Sequence, residues 1–285
     1  MFDTILIPAG ESESAKRAAA FGRKIAEYYD ARIDILHVFE SGSRIRNRSQ
    51  VEEKKERGRE ILDEISKIAC NGDVDCDTHL VEGQSPTSIA EHIDENDIDL
   101  VVMGRRDRSG FGEHLLGTIT DRVLRRTNTP VATVAAEVAA TDAYDDILLT
   151  TDGSENAERA LPYGVSITQH VDGTLHLLNV ADVQAQAGVF DAGGVTTEFI
   201  ERLEADGQTA VERLARHIDD PAITVESSVV RGTSHTAISE YITESGIDLL
   251  VIASEGKSNL ASQTLGSVTD HVLQTVDIPV LVVVT

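Results

Sequence analysis

Ala253-Ser-Glu-Gly-Lys-Ser-Asn-Leu-Ala-Ser-Gln-Thr-Leu-Gly-Ser267 decides the fold. The apolar run Ile247–Ile252 precedes it, and the helical pattern Val268–Thr275 follows. Strand, glycine-bearing loop, helix start: this order makes a place for an anion, because unpaired backbone N–H groups and the helix dipole converge there. A second version lies 149 positions earlier, Gly104 to Thr118.

That correspondence extends along the chain. Val81–Ile89 matches Val230–Ile238, Ile98–Met103 matches Ile247–Ile252, Gly117–Leu124 matches Gly266–Leu273, and Thr129–Val134 matches Ile278–Val283, all at an offset of 149. Near the start, Thr4–Gly10 matches Asp146–Asp152 at an offset of 142. The second copy therefore carries a seven-residue insertion, expected within Asp182–Thr197. Two domains are expected, 1–138 and 144–285, joined near Glu137–Ala143.

In the first copy, short apolar, β-branched runs fall at Thr4–Pro8, Ile33–Phe39, Val74–Val81, Ile98–Met103 and Val131–Val134. Helical patterns alternate with them at Ser14–Tyr29, Val51–Ala69, Thr87–Glu95 and Ile119–Arg126. Alternation of this kind means parallel strands with crossovers on both faces. Leu100–Met103 and Leu249–Ile252 are apolar without alternation, as central parallel strands are. The expected fold is α/β: two tandem doubly wound domains, whose ligands bind beyond the carboxyl ends of the strands.

The formal net charge of −24 argues against nonspecific binding to nucleic acid or anionic membrane. Residues 1–140 hold 19 basic and 26 acidic side chains, whereas residues 141–285 hold 6 and 23, so the acidity lies mainly in the second copy. Acid excess with 19 arginines and only 6 lysines resembles the composition of a protein from a high-salt, halophilic cytoplasm. No apolar run reaches transmembrane length and no signal-peptide pattern opens the chain, so a cytoplasmic location is expected. Cys70 and Cys76 have no second pair or histidine at ligand spacing and read as two ordinary thiols, with a disulfide or metal site as the alternative.

Ile147-Leu-Leu-Thr-Thr-Asp-Gly-Ser-Glu155, a glycine loop closing in Gly-Ser before a helix, and a terminal Ile-Pro-Val together resemble the universal stress protein family. The resemblance covers nearly the whole chain, as two copies. It implies a five-stranded parallel sheet of order 3-2-1-4-5 in each domain. It also implies ATP, with a divalent cation such as Mg2+, bound by a loop of Gly, two residues, Gly, nine residues, then Gly-Ser or Gly-Thr. An aspartate ending the first strand takes the adenine, and a valine ending the second lines the base pocket.

Carried onto the second copy, Asp152 is the adenine aspartate, preceded by Thr151, and Val180 is the base-lining valine. Gly256 is the second glycine and Gly266-Ser267 closes the loop, followed by Val268 and Thr269. Ala253 replaces the first glycine, a costly change where φ is positive and a small one where it is negative. Asp152 also suits helix capping, so either role fits. In the first copy Val38, Gly104 and Gly117-Thr118 are kept, but Gly10 replaces the aspartate and Asp107 the second glycine, which makes it the weaker site. Arg105, Arg106 and Arg108 crowd that loop; they read either as phosphate forks or as a solvated or ion-paired loop.

Gly256-Lys257-Ser258 lacks the upstream glycine of a P-loop, position 251 being valine. No Gly-x-Ser-x-Gly elbow and no metal-binding histidine pattern occur, and no pair of residues reads as general acid and base. His235 reads as a solvated loop residue. The expected function is a stress-response regulator binding an adenine nucleotide, chiefly in the second domain. The competing readings are a nucleotide-free interaction module and a slow ATPase. The resemblance implies an intramolecular pseudo-dimer through Val131–Ala135 and Val280–Val284, or a homo-oligomer.

Overall fold

The computed structural model describes residues 1–40, 48–72, 74–105, 116–138, 143–187, 196–256 and 265–284. The chain divides into two compact units, Met1–Asp142 and Ala143–Val283.

The first unit runs β1 Thr4–Pro8, α1 Glu13–Tyr29, β2 Arg32–Phe39, α2 Arg48–Ala69, β3 Cys76–Glu82, α3 Ser85–Glu95, β4 Leu100–Gly104, α4 Thr118–Leu124 and β5 Val131–Val134. Its strands lie in the order β3-β2-β1-β4-β5, and every described pairing is parallel. Ile5, Leu6 and Ile7 in β1 are fully buried, as are Val101 and Val102 in β4. Helices cover both faces of these strands, so apolar side chains on successive residues are all sheltered, which is why these runs do not alternate.

The second unit repeats the plan: β6 Asp146–Thr150, α5 Glu155–Arg159, α6 Leu161–Val171, β7 Thr174–Ala181, α7 Val183–Ala187, α8 Thr197–Arg216, β8 Thr224–Arg231, α9 Ser234–Ser245, β9 Leu249–Ala253, α10 Ser267–Thr275 and β10 Val280–Val283. The order β8-β7-β6-β9-β10 is the same as in the first unit, again with parallel pairs.

Two differences separate the copies. The single helix α1 becomes α5 and α6, because Pro162 stands in the first turn of α6 and cannot donate to a continuing helix. Between β2 and α2 the chain has 8 residues, and between β7 and α8 it has 15, which places the seven-residue insertion in the connection that holds α7. Residues 188–195 of that connection lie outside the described residues.

Small devices recur in both units. Asp99 Oδ2 accepts from the N–H groups of Asp3 and Thr4, and Asp248 Oδ2 accepts from those of Asp145 and Asp146. Each aspartate thereby fixes the entry of the first strand against the fourth.

The reading of the cysteines is corrected: Cys70 and Cys76 are joined in a disulfide. The end of α2 and the start of β3 bring their Cα atoms to 6.0 Å, a normal disulfide spacing that the six-position separation alone does not reveal.

Candidate nucleotide cleft

The strand order reverses between β1 and β4, and between β6 and β9, so a crevice opens at the carboxyl end of each pair. In the second unit one cleft is lined by Thr151, Asp152, Val180, Ala253, Gly256, Gly266, Ser267, Val268 and Thr269. These are all nine positions singled out in the sequence. In the first unit Val38, Gly104, Gly117 and Thr118 line the corresponding cleft, together with Gly10.

The floor of the second cleft is a tightly held loop. Thr151 is buried; its N–H donates to Leu178 O at 2.9 Å, and its Oγ1 accepts from Gly153 N at 3.0 Å. Its carbonyl accepts from Asn179 Nδ2 at 2.8 Å. Gly207 of α8 leaves room for Asn179, since a Cβ there would stand 2.3 Å from Asn179 Oδ1. Gly153 has φ +75°, a conformation that favours glycine. In the first unit His37 Nδ1 lies 3.0 Å from Ala9 O, with Gly58 of α2 above the ring. The same support thus holds both loops.

Asp152 does not cap α5. Ser154 does, its hydroxyl accepting from Ala157 N at 3.1 Å. Asp152 Oδ1 accepts from Ser154 N at 2.9 Å, two residues on, in a turn that presents the exposed carboxylate at the cleft. The helix start supplies its own cap, so a capping role does not account for Asp152.

The roof is the start of α10. Ser12, Ser154 and Thr196 cap α1, α5 and α8 with their side chains, but α10 begins at Gly266 and α4 at Gly117 without any side-chain cap. The starts of α3, α6 and α9 also lack a side-chain cap from the N-cap residue, but at α4 and α10 the capping glycine and the first helical residues line the clefts, where an anion can take the role of the cap. Thr269 has a structural task as well: its Oγ1 donates to Ala253 O at 2.9 Å, as Thr120 Oγ1 donates to Gly104 O at 3.0 Å.

Ala253 resolves the question of the lost glycine. It ends β9, is buried, and is not among the residues with positive φ. Gly104 does not have positive φ either; it is tight because a Cβ there would stand 2.6 Å from Ser14 C and 2.7 Å from Ala15 N. Glycine at this point admits the start of α1, and in the second unit alanine is accommodated.

Thr150, Ala157, Leu178, Ser234, Ile238, Ile252 and Glu255 also line the second cleft and were not anticipated. Leu36 and Ile89 line the first cleft at the positions of Leu178 and Ile238, a correspondence already present in the repeat. Ser234 is placed by Asp182, whose Oδ2 accepts from Ser234 N at 2.8 Å and Ser234 Oγ at 3.0 Å. The Asp182 Oδ1 accepts from Ala185 N at 2.9 Å. Burial pushes the Asp182 pKa up, but these hydrogen bonds outweigh it and hold the carboxyl below its ordinary value.

Two sequence readings change here. His235 belongs to α9 and stacks on His271, ring centroids 4.7 Å apart, so it is not a loop residue. Arg105 is 3% exposed and lines the first cleft, so it is not part of a solvated loop. Arg106, Asp107 and Arg108 lie outside the described residues. Among the described lining residues of the second cleft, Asp152 and Glu255 are acidic and none is basic.

The sequence model of the universal stress protein family matches residues 1–135 and again residues 143–284. The chain belongs to this family, twice over. A universal stress protein of Methanocaldococcus jannaschii is 28% identical over 140 residues, covering 49% of this chain and 82% of its own length. A universal stress protein of Mycolicibacterium smegmatis is 24% identical over 291 residues, covering 98% of this chain and 96% of its own. The solved structure of a universal stress protein from Archaeoglobus fulgidus matches 98% of this chain and 97% of its own with a TM-score of 0.74, at 21% identity. That likeness supports the tandem fold. No helix among the described residues is long and apolar enough to cross a membrane.

Proposed function

We propose that this universal stress protein is a regulator that binds an adenine nucleotide, ATP with a divalent cation, in the cleft of its second unit. The observation that carries the reading is the convergence of Asp152 and the uncapped start of α10 on one cleft. The base would lie against Leu178, Val180 and Ile238, with Asp152 at its polar edge. The phosphates would take the N–H groups at Ser267, Val268 and Thr269 in place of a side-chain cap. With Asp152 and Glu255 in the lining, a divalent cation offsets the charge that the phosphates bring.

Binding to the folded unit stabilises it by linkage, about 2.7 kcal/mol when ligand stands at a hundred times Kd. Nucleotide level is thereby converted into stability of the second unit, which suits a sensor. Equilibrium titration with a fluorescent ATP analogue and Mg2+ in molar KCl tests it. Saturable binding to the wild type, weakened about tenfold or more in Asp152→Ala, is expected for a lost polar contact to the base. No saturable binding by the wild type refutes the proposal.

A further inference from the structure

The polar cluster furthest from any explained role lies in the first unit, on β2, β3 and α3. Asp34 is 2% exposed, yet it is a carboxylate in the sheet. His92 Nε2 lies 3.2 Å from Asp34 Oδ2, and His79 Nε2 lies 3.6 Å from the same oxygen. The two imidazole rings have centroids 4.7 Å apart. One ligand atom from each of the three residues falls within 4.8 Å of the other two. His79 Nε2 is buried and makes no hydrogen bond, since 3.6 Å is beyond hydrogen-bond range.

We propose that Asp34, His79 and His92 form a binding site for a divalent transition-metal ion, with zinc the ion that their chemistry suits. Two imidazoles and one carboxylate are the ligand set of zinc and its neighbours, and not of the oxygen-bound magnesium or calcium. A tetrahedral ion with ligands at about 2.0–2.1 Å holds its ligand atoms roughly 3.3 Å apart. The two separations from Asp34, 3.2 and 3.6 Å, bracket that value. His79 has a half-exposed side chain, which leaves the fourth position open to water and gives the ion a way in. An ion would also give the buried His79 Nε2 its missing partner.

The second unit shows what the same place looks like without this ligand set. By the repeat, His176, Ser228 and Tyr241 stand where Asp34, His79 and His92 stand in the first. His176 Nδ1 lies 3.1 Å from Tyr241 Oη, Ser228 Oγ lies 3.4 Å from it, and His176 Nε2 lies 3.1 Å from Asp146 Oδ1. That group satisfies itself through hydrogen bonds. The first unit instead gathers two imidazole nitrogens around one carboxylate oxygen. None of the three lines the first-unit cleft, so the site is independent of the nucleotide reading.

The test uses the full chain with its Cys70–Cys76 disulfide intact, so that no thiolate competes for the ion, stripped with chelator and kept in molar KCl to suppress loose binding to the acidic surface. Zn2+ is titrated by calorimetry, and Co2+ by its visible absorption. One equivalent of each is expected to bind, with a rise in the unfolding temperature of the first unit. His79→Ser is expected to weaken Zn2+ binding about tenfold or more and to alter the cobalt spectrum. Serine already occupies the matching position 228, so the fold should accept it. Ser228→Ala, in the second unit, should leave metal binding unchanged. No stoichiometric binding, or equal affinity in His79→Ser, overturns the proposal.

Discussion

Gly256 packs against the carboxylate of Asp152: a Cβ on Gly256 would stand 2.6 Å from Asp152 Oδ2. The two positions that the family motif marks separately are therefore one physical unit. An aspartate at the end of β6 requires a glycine beyond β9. In the first copy the residue types are exchanged, with Gly10 at the strand end and Asp107 in the loop. The exchange suits a mutual packing constraint better than independent decay of two binding residues.

The first prediction follows from that contact. The atom that a Cβ meets is the end of a side chain, so Gly256→Ala should displace Asp152 rather than disturb the backbone. Stability should change by no more than about 0.5 kcal/mol, as for an ordinary surface substitution. Affinity for the ATP analogue should fall as far as in Asp152→Ala. Thermal unfolding and fluorescence titration of both variants check this. A Gly256→Ala protein that binds normally separates the glycine from the aspartate.

The second prediction contrasts the two leading positions of the loops. Gly104→Ala forces a methyl group toward the backbone of Ser14 and Ala15, at 2.6 and 2.7 Å. That should destabilise the first unit by about 1–3 kcal/mol, as overpacking does. Ala253→Gly should cost only about 0.5–1 kcal/mol, from the greater freedom of glycine in a strand, and should not restore any lost affinity. Urea unfolding of both variants measures the contrast. A marked gain in nucleotide affinity for Ala253→Gly would show that alanine obstructs the cleft.

Much of this was legible in the sequence because it exists twice. The repeat located Thr4–Pro8 and Val131–Val134 to the residue, and the alternation of strand with helix set the fold class. The family resemblance named nine residues that the fold brings to one cleft. What escaped was anything decided across space. The disulfide depends on where α2 stops relative to β3, and six positions can bridge many distances. The packing of Gly256 on Asp152, and the meeting of Asp34 with His79 and His92, join residues far apart in sequence with no local periodicity to announce them. Residue type left Asp152 open to either a capping role or a base contact, because only the fold shows that Ser154, two positions later, holds the cap.

The third prediction concerns salt. Residues 141–285 carry a net charge of −17, which repels ATP at long range. The N–H groups at the start of α10 act at contact distance. The Debye length falls from about 10 Å at 0.1 M salt to about 3 Å at 1 M, so added KCl screens the repulsion more than the contacts. ATP affinity in the second unit should hold or rise between those concentrations. A steep loss with KCl, measured by isothermal titration, would indicate that basic side chains carry the binding instead.

The fourth prediction concerns Asp182, which joins the start of α7 to the start of α9. Its carboxyl is held below the ordinary value, so the ionised form is favoured in the folded protein. Its contribution is fully present above the unfolded pKa of about 3.9 and is lost as pH falls through the lower folded value. Asp182→Asn keeps one acceptor oxygen but loses the charge. It should cost about 1–2 kcal/mol near pH 7, the scale of a helix cap. The gap from the wild type should then narrow as pH falls below about 4, where the unfolded carboxyl takes up its proton before the folded one does. Comparing the two proteins across pH isolates Asp182 from Asp220, whose carboxyl is lowered by the Ala222 N–H and by Gln169 in both. Because Ser234 and Ile238 of α9 line the cleft, the variant should also bind the ATP analogue less tightly. A stability gap that stays constant down to pH 3 would show that the charge of Asp182 does not hold these two helices.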